Sequence, residues 1–180
     1  MNKIFKYIIL DRDGTLIKDK NYLHDPQDVE LLPGVVDGLK KLASGGFKFI
    51  VLTNQSGIGR GYYKESDLFL VNERISSMLS DEGIEITRYY YCPHKPEEEC
   101  CCRKPKPGMV YRACSDLKIN FDGIHCVIGD KKSDVELADN IGVKSVLVLT
   151  GYGRSALEEG ACASYVADDL DKAAELLLKT

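Results

Sequence analysis

The sequence predicts an α/β fold built on a mostly parallel sheet. Three observations carry that prediction. Apolar runs of strand length alternate along the chain with segments of helical period. The strand-like runs are continuously apolar rather than alternating, which marks strands covered on both faces. Strict strand–helix alternation then calls for parallel strands joined by right-handed crossovers.

The elements follow in order. Residues 7–10 form the opening strand. Residues 35–42 carry Val35, Val36, Leu39 and Leu42 at helical spacing, started by Pro33-Gly34. Residues 47–52 are a second buried strand after the Gly45-Gly46 turn. Leu68, Val71, Ile75, Met78 and Leu79 make a helical stripe closed by Gly83. Residues 89–91 read as a short strand, 109–117 as helix, 126–128 as strand, 135–141 as helix, 146–149 as strand and 170–178 as a terminal helix. Segments 17–32 and 92–108 lack periodicity, and loops of that length are usually functional.

With 180 residues the chain is expected to form one domain spanning 1–180, large enough to fold without disulfides. Hydrophobic residues are 44% and charged residues 29%, which excludes disorder, and no apolar run approaches the length of a membrane helix. The net charge of −4 offers no broad surface for nucleic acid or an anionic membrane. The opening MNKIFKYIIL lacks a secretory pattern, so a cytoplasmic location is expected. No large apolar stripe is left over, and a monomer is expected.

Four polar clusters follow four of the strands, and ligands of open parallel sheets sit at the strands' carboxyl ends. Asp11-Arg12-Asp13-Gly14-Thr15 places two carboxylates one residue apart. One can attack phosphorus and the other can move a proton, although Asp-Gly also fits a charged turn. Thr53-Asn54-Gln55-Ser56 offers hydrogen bonds to phosphate oxygens, or an ordinary N-cap. Arg103-Lys104 sits in a segment stiffened by Pro105 and Pro107, suited to a phosphoryl group or to a solvated basic loop. In Gly129-Asp130-Lys131-Lys132-Ser133-Asp134, Asp130 can join Asp11 around Mg²⁺, while Asp134 is open between that site and a helix cap.

Seven cysteines is an odd number, and four lie between positions 92 and 102. Cys92-x-His94 and Cys100-x-Cys102 form a Cys₃His set suited to tetrahedral Zn²⁺, with every coordination position supplied by protein, as in structural sites. Residues two apart in an extended chain face one side, so Cys101 points away and is the competing ligand. Cys114, Cys126 and Cys162 read as small buried hydrophobes.

The order Asp-x-Asp-Gly-Thr, Thr-Asn, Lys-Pro, Gly-Asp-x-x-x-Asp resembles the four motifs of the haloacid dehalogenase superfamily of phosphohydrolases. That resemblance implies a doubly wound sheet. It implies Asp11 as nucleophile, Asp13 as general acid and base, and Thr53 and Lys104 as holders of the phosphoryl group. It also implies Mg²⁺ on Asp11, Asp130 and the backbone carbonyl of Asp13. Longer stretches, including residues 28–35, 53–62, 92–94 and 102–109, are similar to the heptose-bisphosphate phosphatase family, over about residues 6–153. In that family the positions of Asp19, Lys20, Asn21 and Tyr22, of Thr53, Asn54, Gln55 and Ser56, of Arg103 and Lys104, and of Lys131 contact the sugar phosphate, and the same zinc loop is present. Only five residues separate His94 from Cys100, a short spacing for this loop.

The expected substrate is therefore a small sugar bisphosphate. Segments 16–47 and 57–89 hold little beyond one helix and a loop each, so no cap domain is expected. Lys20 and Arg103 are expected to hold the far end of the substrate. Histidinol-phosphate phosphatase shares these motifs and is the alternative. A polynucleotide 3′-phosphatase is disfavoured by the acidic charge. A catalytically idle zinc-stabilised binding module would lack a catalytic position, and none is missing.

Overall fold

The computed structural model describes residues 6–179. Its centre is a six-stranded, all-parallel sheet of β1 (Lys6–Leu10), β2 (Phe47–Asn54), β3 (Ile86–Cys92), β4 (Ile124–Gly129), β5 (Lys144–Val148) and β6 (Tyr165–Ala167). The spatial order is β3-β2-β1-β4-β5-β6. The chain builds outward from β1 to β3, then returns to the other side of β1 with β4. The topological switch point therefore lies between β1 and β4, where open sheets hold their ligands.

The continuous apolar strands are explained by two separate cores. From β1, Ile8 and Leu10 enter one core together with Phe49 and Val51 of β2. That face is covered by α1 (Val35–Ser44), α3 (Glu65–Ser80) and α7 (Leu170–Leu177). Tyr7, Ile9, Ile50 and Leu52 point the other way, under α4 (Gly108–Leu117) and α5 (Lys132–Ile141). Side chains alternate across a strand, so a strand covered on both sides has no polar positions to spare. Each fully buried aliphatic contributes about 1.5–3 kcal/mol. Helices α1 and α7 approach closely at Gly38, where a Cβ would lie 2.5 Å from the Leu170 carbonyl oxygen.

Every expected strand and helix is present, and most run further than the apolar pattern alone. β3 extends over Ile86–Cys92 and α3 begins at Glu65. The fifth strand is Lys144–Val148 rather than 146–149. Three elements have no counterpart in the sequence reading: α2 (Ser56–Gly59), α6 (Gly153–Glu158) and the edge strand β6. All three are six residues or shorter, too short to show a period. The aperiodic segment 17–32 is pinned by isolated bridges from Ile17 to Asp13 and Leu31, and it buries Leu23 and Val29 in the first core. Of the three scattered cysteines only Cys126 is fully buried. Cys114 is half-buried and Cys162 is exposed, since Cys162 falls in the loop between α6 and β6. No helix among the described residues is long and apolar enough to cross a membrane.

Candidate active site

Asp11 and Asp130 leave the ends of β1 and β4, the two strands flanking the switch point, and the backbone N–H of Asp11 donates to the Ile128 carbonyl at 2.9 Å. Carboxylate oxygens of Asp11, Asp130 and Asp134 lie within 4.8 Å of one another, all buried. Lys104 lies among them at 5% exposure. Its ammonium donates to Asp11 Oδ1 at 2.6 Å and to the Leu52 carbonyl at 2.7 Å, and it stands 2.7 Å from Asp134 Oδ1. Burial opposes the charge on Asp11, but the Lys104 and Lys131 ammonium groups outweigh it and hold the carboxyl below its usual value. Burial likewise works against the Lys104 charge and is outweighed by Asp11 and Asp134, leaving its pKa raised. At Asp130 the charge of Lys131 does not offset the opposing effects. Burial, then the charge of Asp11, pushes it up to about 8.

This set fits a divalent cation. Asp11 Oδ2 is buried with no hydrogen-bond partner, a costly state that a hard cation would relieve. Asp130 is held by the Tyr152 N–H at 2.8 Å and Thr15 Oγ1 at 3.4 Å. The space around it is kept by Gly14, at φ 91°, where a Cβ would sit 2.1 Å from Asp130 Oδ2. Asp134 serves the cap role left open by its sequence. Its Oδ2 accepts from the Lys131 N–H at 3.0 Å, while Oδ1 faces Lys104. Burial raises its pKa in spite of that lysine.

Asp13 lies on the cleft side of the nucleophile position. Its Oδ2 accepts from Gln55 Nε2 at 2.8 Å and Thr53 Oγ1 at 3.4 Å. The Gln55 amide also donates to Thr53 Oγ1 at 2.7 Å, and its oxygen accepts from the Tyr63 hydroxyl. A carboxylate only accepts, so Gln55 must turn its nitrogen to Asp13 and its oxygen to Tyr63. Asn54 and Lys104 exchange hydrogen bonds, Asn54 Nδ2 to the Lys104 carbonyl at 3.2 Å and Lys104 N–H to Asn54 Oδ1 at 3.1 Å. That pair ties the Lys104 loop to the end of β2.

The cleft beside Asp13 has a volume of about 160 Å³ and is lined by Asp19, Asn21, Tyr22, Asn54, Gln55, Ser56 and Lys131, with Arg12, Leu23 and Tyr63. Lys131 reaches Asp19 Oδ2 at 3.4 Å and the Asp13 carbonyl at 3.5 Å. Two residues expected at the substrate stand elsewhere. Lys20 turns to Glu30 at 2.6 Å and Asp28 at 3.7 Å, away from the cleft lining. Arg103 donates to the His94 carbonyl at 3.4 Å. Arg12, Tyr63 and Asn72 were missed by sequence reasoning. A lone arginine inside an acidic turn, a tyrosine just before α3 and an asparagine in the middle of that helix carry no motif.

At the carboxyl end of β3, on the same edge of the sheet, Cys92, His94, Cys100 and Cys102 converge, their ligand atoms within 4.8 Å of one another. Five sulfur–sulfur and sulfur–nitrogen separations within it run from 3.3 to 3.6 Å. Ligands about 2.3 Å from a shared tetrahedral centre stand about 3.8 Å apart, so the cluster has the size and donor set for Zn²⁺. Cys101 is exposed and outside it, its backbone carbonyl accepting from Gly108 at 3.1 Å.

Comparison with known proteins agrees with this geometry. The model of the polynucleotide kinase 3 phosphatase family matches residues 6–135, and that of the HAD-hydrolase-like family matches residues 101–173. D-glycero-beta-D-manno-heptose-1,7-bisphosphate 7-phosphatase of Pseudomonas putida is 39% identical over 96% of this chain and 99% of that protein. The D-glycero-alpha-D-manno-heptose-1,7-bisphosphate 7-phosphatase of Photorhabdus laumondii is 37% identical over 91% of this chain and 92% of its own. D,D-heptose 1,7-bisphosphate phosphatase from B. bronchiseptica, solved with magnesium and phosphate, superposes with a TM-score of 0.89 at 32% identity, covering 97% of this chain and 99% of that one.

A parallel sheet with an aspartate pair, a lysine and a second acid gathered at its switch point defines a phosphohydrolase of the haloacid dehalogenase type. Within that class, the chain belongs to the D-glycero-D-manno-heptose-1,7-bisphosphate 7-phosphatase family.

Proposed function

We propose that this enzyme removes the C7 phosphate of D-glycero-D-manno-heptose 1,7-bisphosphate, a step toward ADP- or GDP-heptose, as a cytoplasmic monomer. The observation that carries the reading is the buried Asp11–Lys104 pair beside Asp130, next to a polar cleft lined by Asp13, Asn54, Gln55 and Lys131.

The proposed chemistry is two in-line displacements. A carboxylate oxygen of Asp11 attacks the phosphorus at C7. The bond to the sugar oxygen breaks, and Asp13 gives that oxygen its proton. Water then attacks the aspartyl phosphate while Asp13 takes a proton from it, and phosphate leaves with Asp11 restored. Lys104 and Thr53 face the charge on the phosphoryl oxygens, where stabilisation counts most. Bound Mg²⁺, on Asp11, Asp130 and the Asp13 carbonyl, would supply further charge neutralisation there.

Asp19, Asn21, Tyr22, Asn54, Gln55, Ser56 and Lys131 are proposed to bind the sugar phosphate from the cleft wall. Arg103 is proposed to reach the second phosphate by exchanging its present carbonyl partner, and Lys20 by leaving Glu30. Zn²⁺ on Cys92, His94, Cys100 and Cys102 is proposed to order the loop that delivers Arg103 and Lys104.

The test is a side-by-side kcat/KM for both anomers of the heptose bisphosphate, histidinol phosphate and a 3′-phosphorylated oligonucleotide, with Mg²⁺. A heptose bisphosphate preferred by orders of magnitude supports the reading. A preference for histidinol phosphate or the oligonucleotide defeats it.

A further inference from the structure

Among the described residues Arg12 is the bulkiest side chain that the fold buries almost completely, at 1% exposure. A buried guanidinium must be paired to be tolerated, and all its partners lead to one place. Nε donates to Asp13 Oδ2 at 3.1 Å and Nη2 to Asp13 Oδ1 at 3.0 Å, a two-pronged grip. Nη1 donates to Asn72 Oδ1 at 3.2 Å. Asn72 comes from α3, is itself 6% exposed, and stands sixty positions away in sequence.

We propose that Arg12, anchored by Asn72, is a positioning residue for Asp13, holding its carboxyl at one place through both displacements so that Oδ1 carries the transferred proton. The inference rests on Asp13 being the acid and base. The atom follows from acceptor capacity. Oδ2 already takes Arg12 Nε, Gln55 and Thr53, whereas Oδ1 takes only Arg12 Nη2. Oδ1 is therefore the oxygen with a lone pair to spare. The planar fork fixes the carboxyl plane, which a lysine's single ammonium cannot do. One carboxyl must serve first the leaving oxygen and then water, so a small misplacement is felt in both steps.

Two substrates separate this role from a merely structural one. Displacing a sugar alkoxide needs the proton from Asp13, while displacing p-nitrophenolate does not. Hydrolysis of the aspartyl phosphate needs Asp13 in either case. The variants are Arg12→Lys, which keeps the charge and loses the fork, and Asn72→Ala, which leaves Arg12 in place and carries the test if the arginine variant does not fold. For the heptose bisphosphate, kcat should fall about tenfold or more, within the range general acid–base catalysis is worth, with KM little changed. For p-nitrophenyl phosphate, stopped-flow should show a burst of p-nitrophenolate ahead of a slowed steady state, with phosphate retained on the protein.

Wild-type kcat in Asn72→Ala overturns the proposal. So does a slowed turnover with no burst, because a distorted site would impair the attack by Asp11 as well. A wild-type enzyme releasing phosphate from neither substrate would defeat the phosphatase reading itself, a failure distinct from active wild type with unaltered variants.

Discussion

Lys104 Nζ lies 2.6 Å from Asp11 Oδ1, though ninety-three positions separate the two residues. The lysine is buried, bridges Asp11 to Asp134 and still reaches the Leu52 carbonyl. One oxygen of Asp11 is thereby committed to a cation of the protein, and the other, Oδ2, is left without a partner.

Asp11→Asn should abolish turnover and leave the fold intact, because the amide cannot attack phosphorus yet keeps an oxygen for Lys104. Phosphate release and circular dichroism check it, and near-normal rates would remove Asp11 as nucleophile. Lys104→Met should cost stability as well as activity. Breaking a buried pair leaves uncompensated charge, at about 3–5 kcal/mol, read as a lower denaturation midpoint.

In metal-free enzyme, Asp130 should make stability fall as pH rises. Its carboxyl is raised from 3.8 to about 8, so between those values the folded chain holds a proton that the unfolded chain has released. Unfolding then releases a proton and is favoured by higher pH. Asp130→Asn should flatten that dependence and raise the melting temperature in EDTA, while abolishing stabilisation by added Mg²⁺. An unchanged pH profile in the variant would show that Asp130 is not the group responsible.

Cys100→Ser should lower zinc content and phosphatase activity together, while Cys101→Ser should leave both at the wild-type level. Metal analysis beside activity decides it. The hydrogen bond from the Arg103 guanidinium to the His94 backbone carbonyl physically joins the cluster to the catalytic loop. Full activity in a zinc-free Cys100→Ser enzyme would break the proposed coupling.

Arg103→Ala should cut kcat/KM for the bisphosphate far more than for a sugar monophosphate, since only the former has a second phosphate to lose. Equal losses on both would assign Arg103 to the loop rather than to the substrate.

Much of this architecture is legible locally. The continuous runs at Ile8–Leu10 and Val127–Ile128 announce strands covered on both faces, and the stripe through Leu68, Val71, Ile75 and Leu79 announces α3. The elements that escaped, α2, α6 and β6, are too short for periodicity to register. At the site, Asp11, Asp13, Thr53, Lys104 and Asp130 stand out because each follows a strand in a recognisable order. Arg12 and Asn72 do not, because nothing local distinguishes a buried arginine from a solvated one.

The sequence by itself determined the sheet's composition, the polar clusters that follow its strands and the residues of the cysteine–histidine cluster, because periodicity and residue type are local properties. Only the tertiary structure decided that Asp134 caps its helix while pairing with Lys104, that Lys20 faces Glu30, and that Arg12 is gripped between Asp13 and Asn72. Those are choices among partners distant in the chain, and they are settled by which side chains the packed sheet and helices bring within hydrogen-bonding reach and shut away from water.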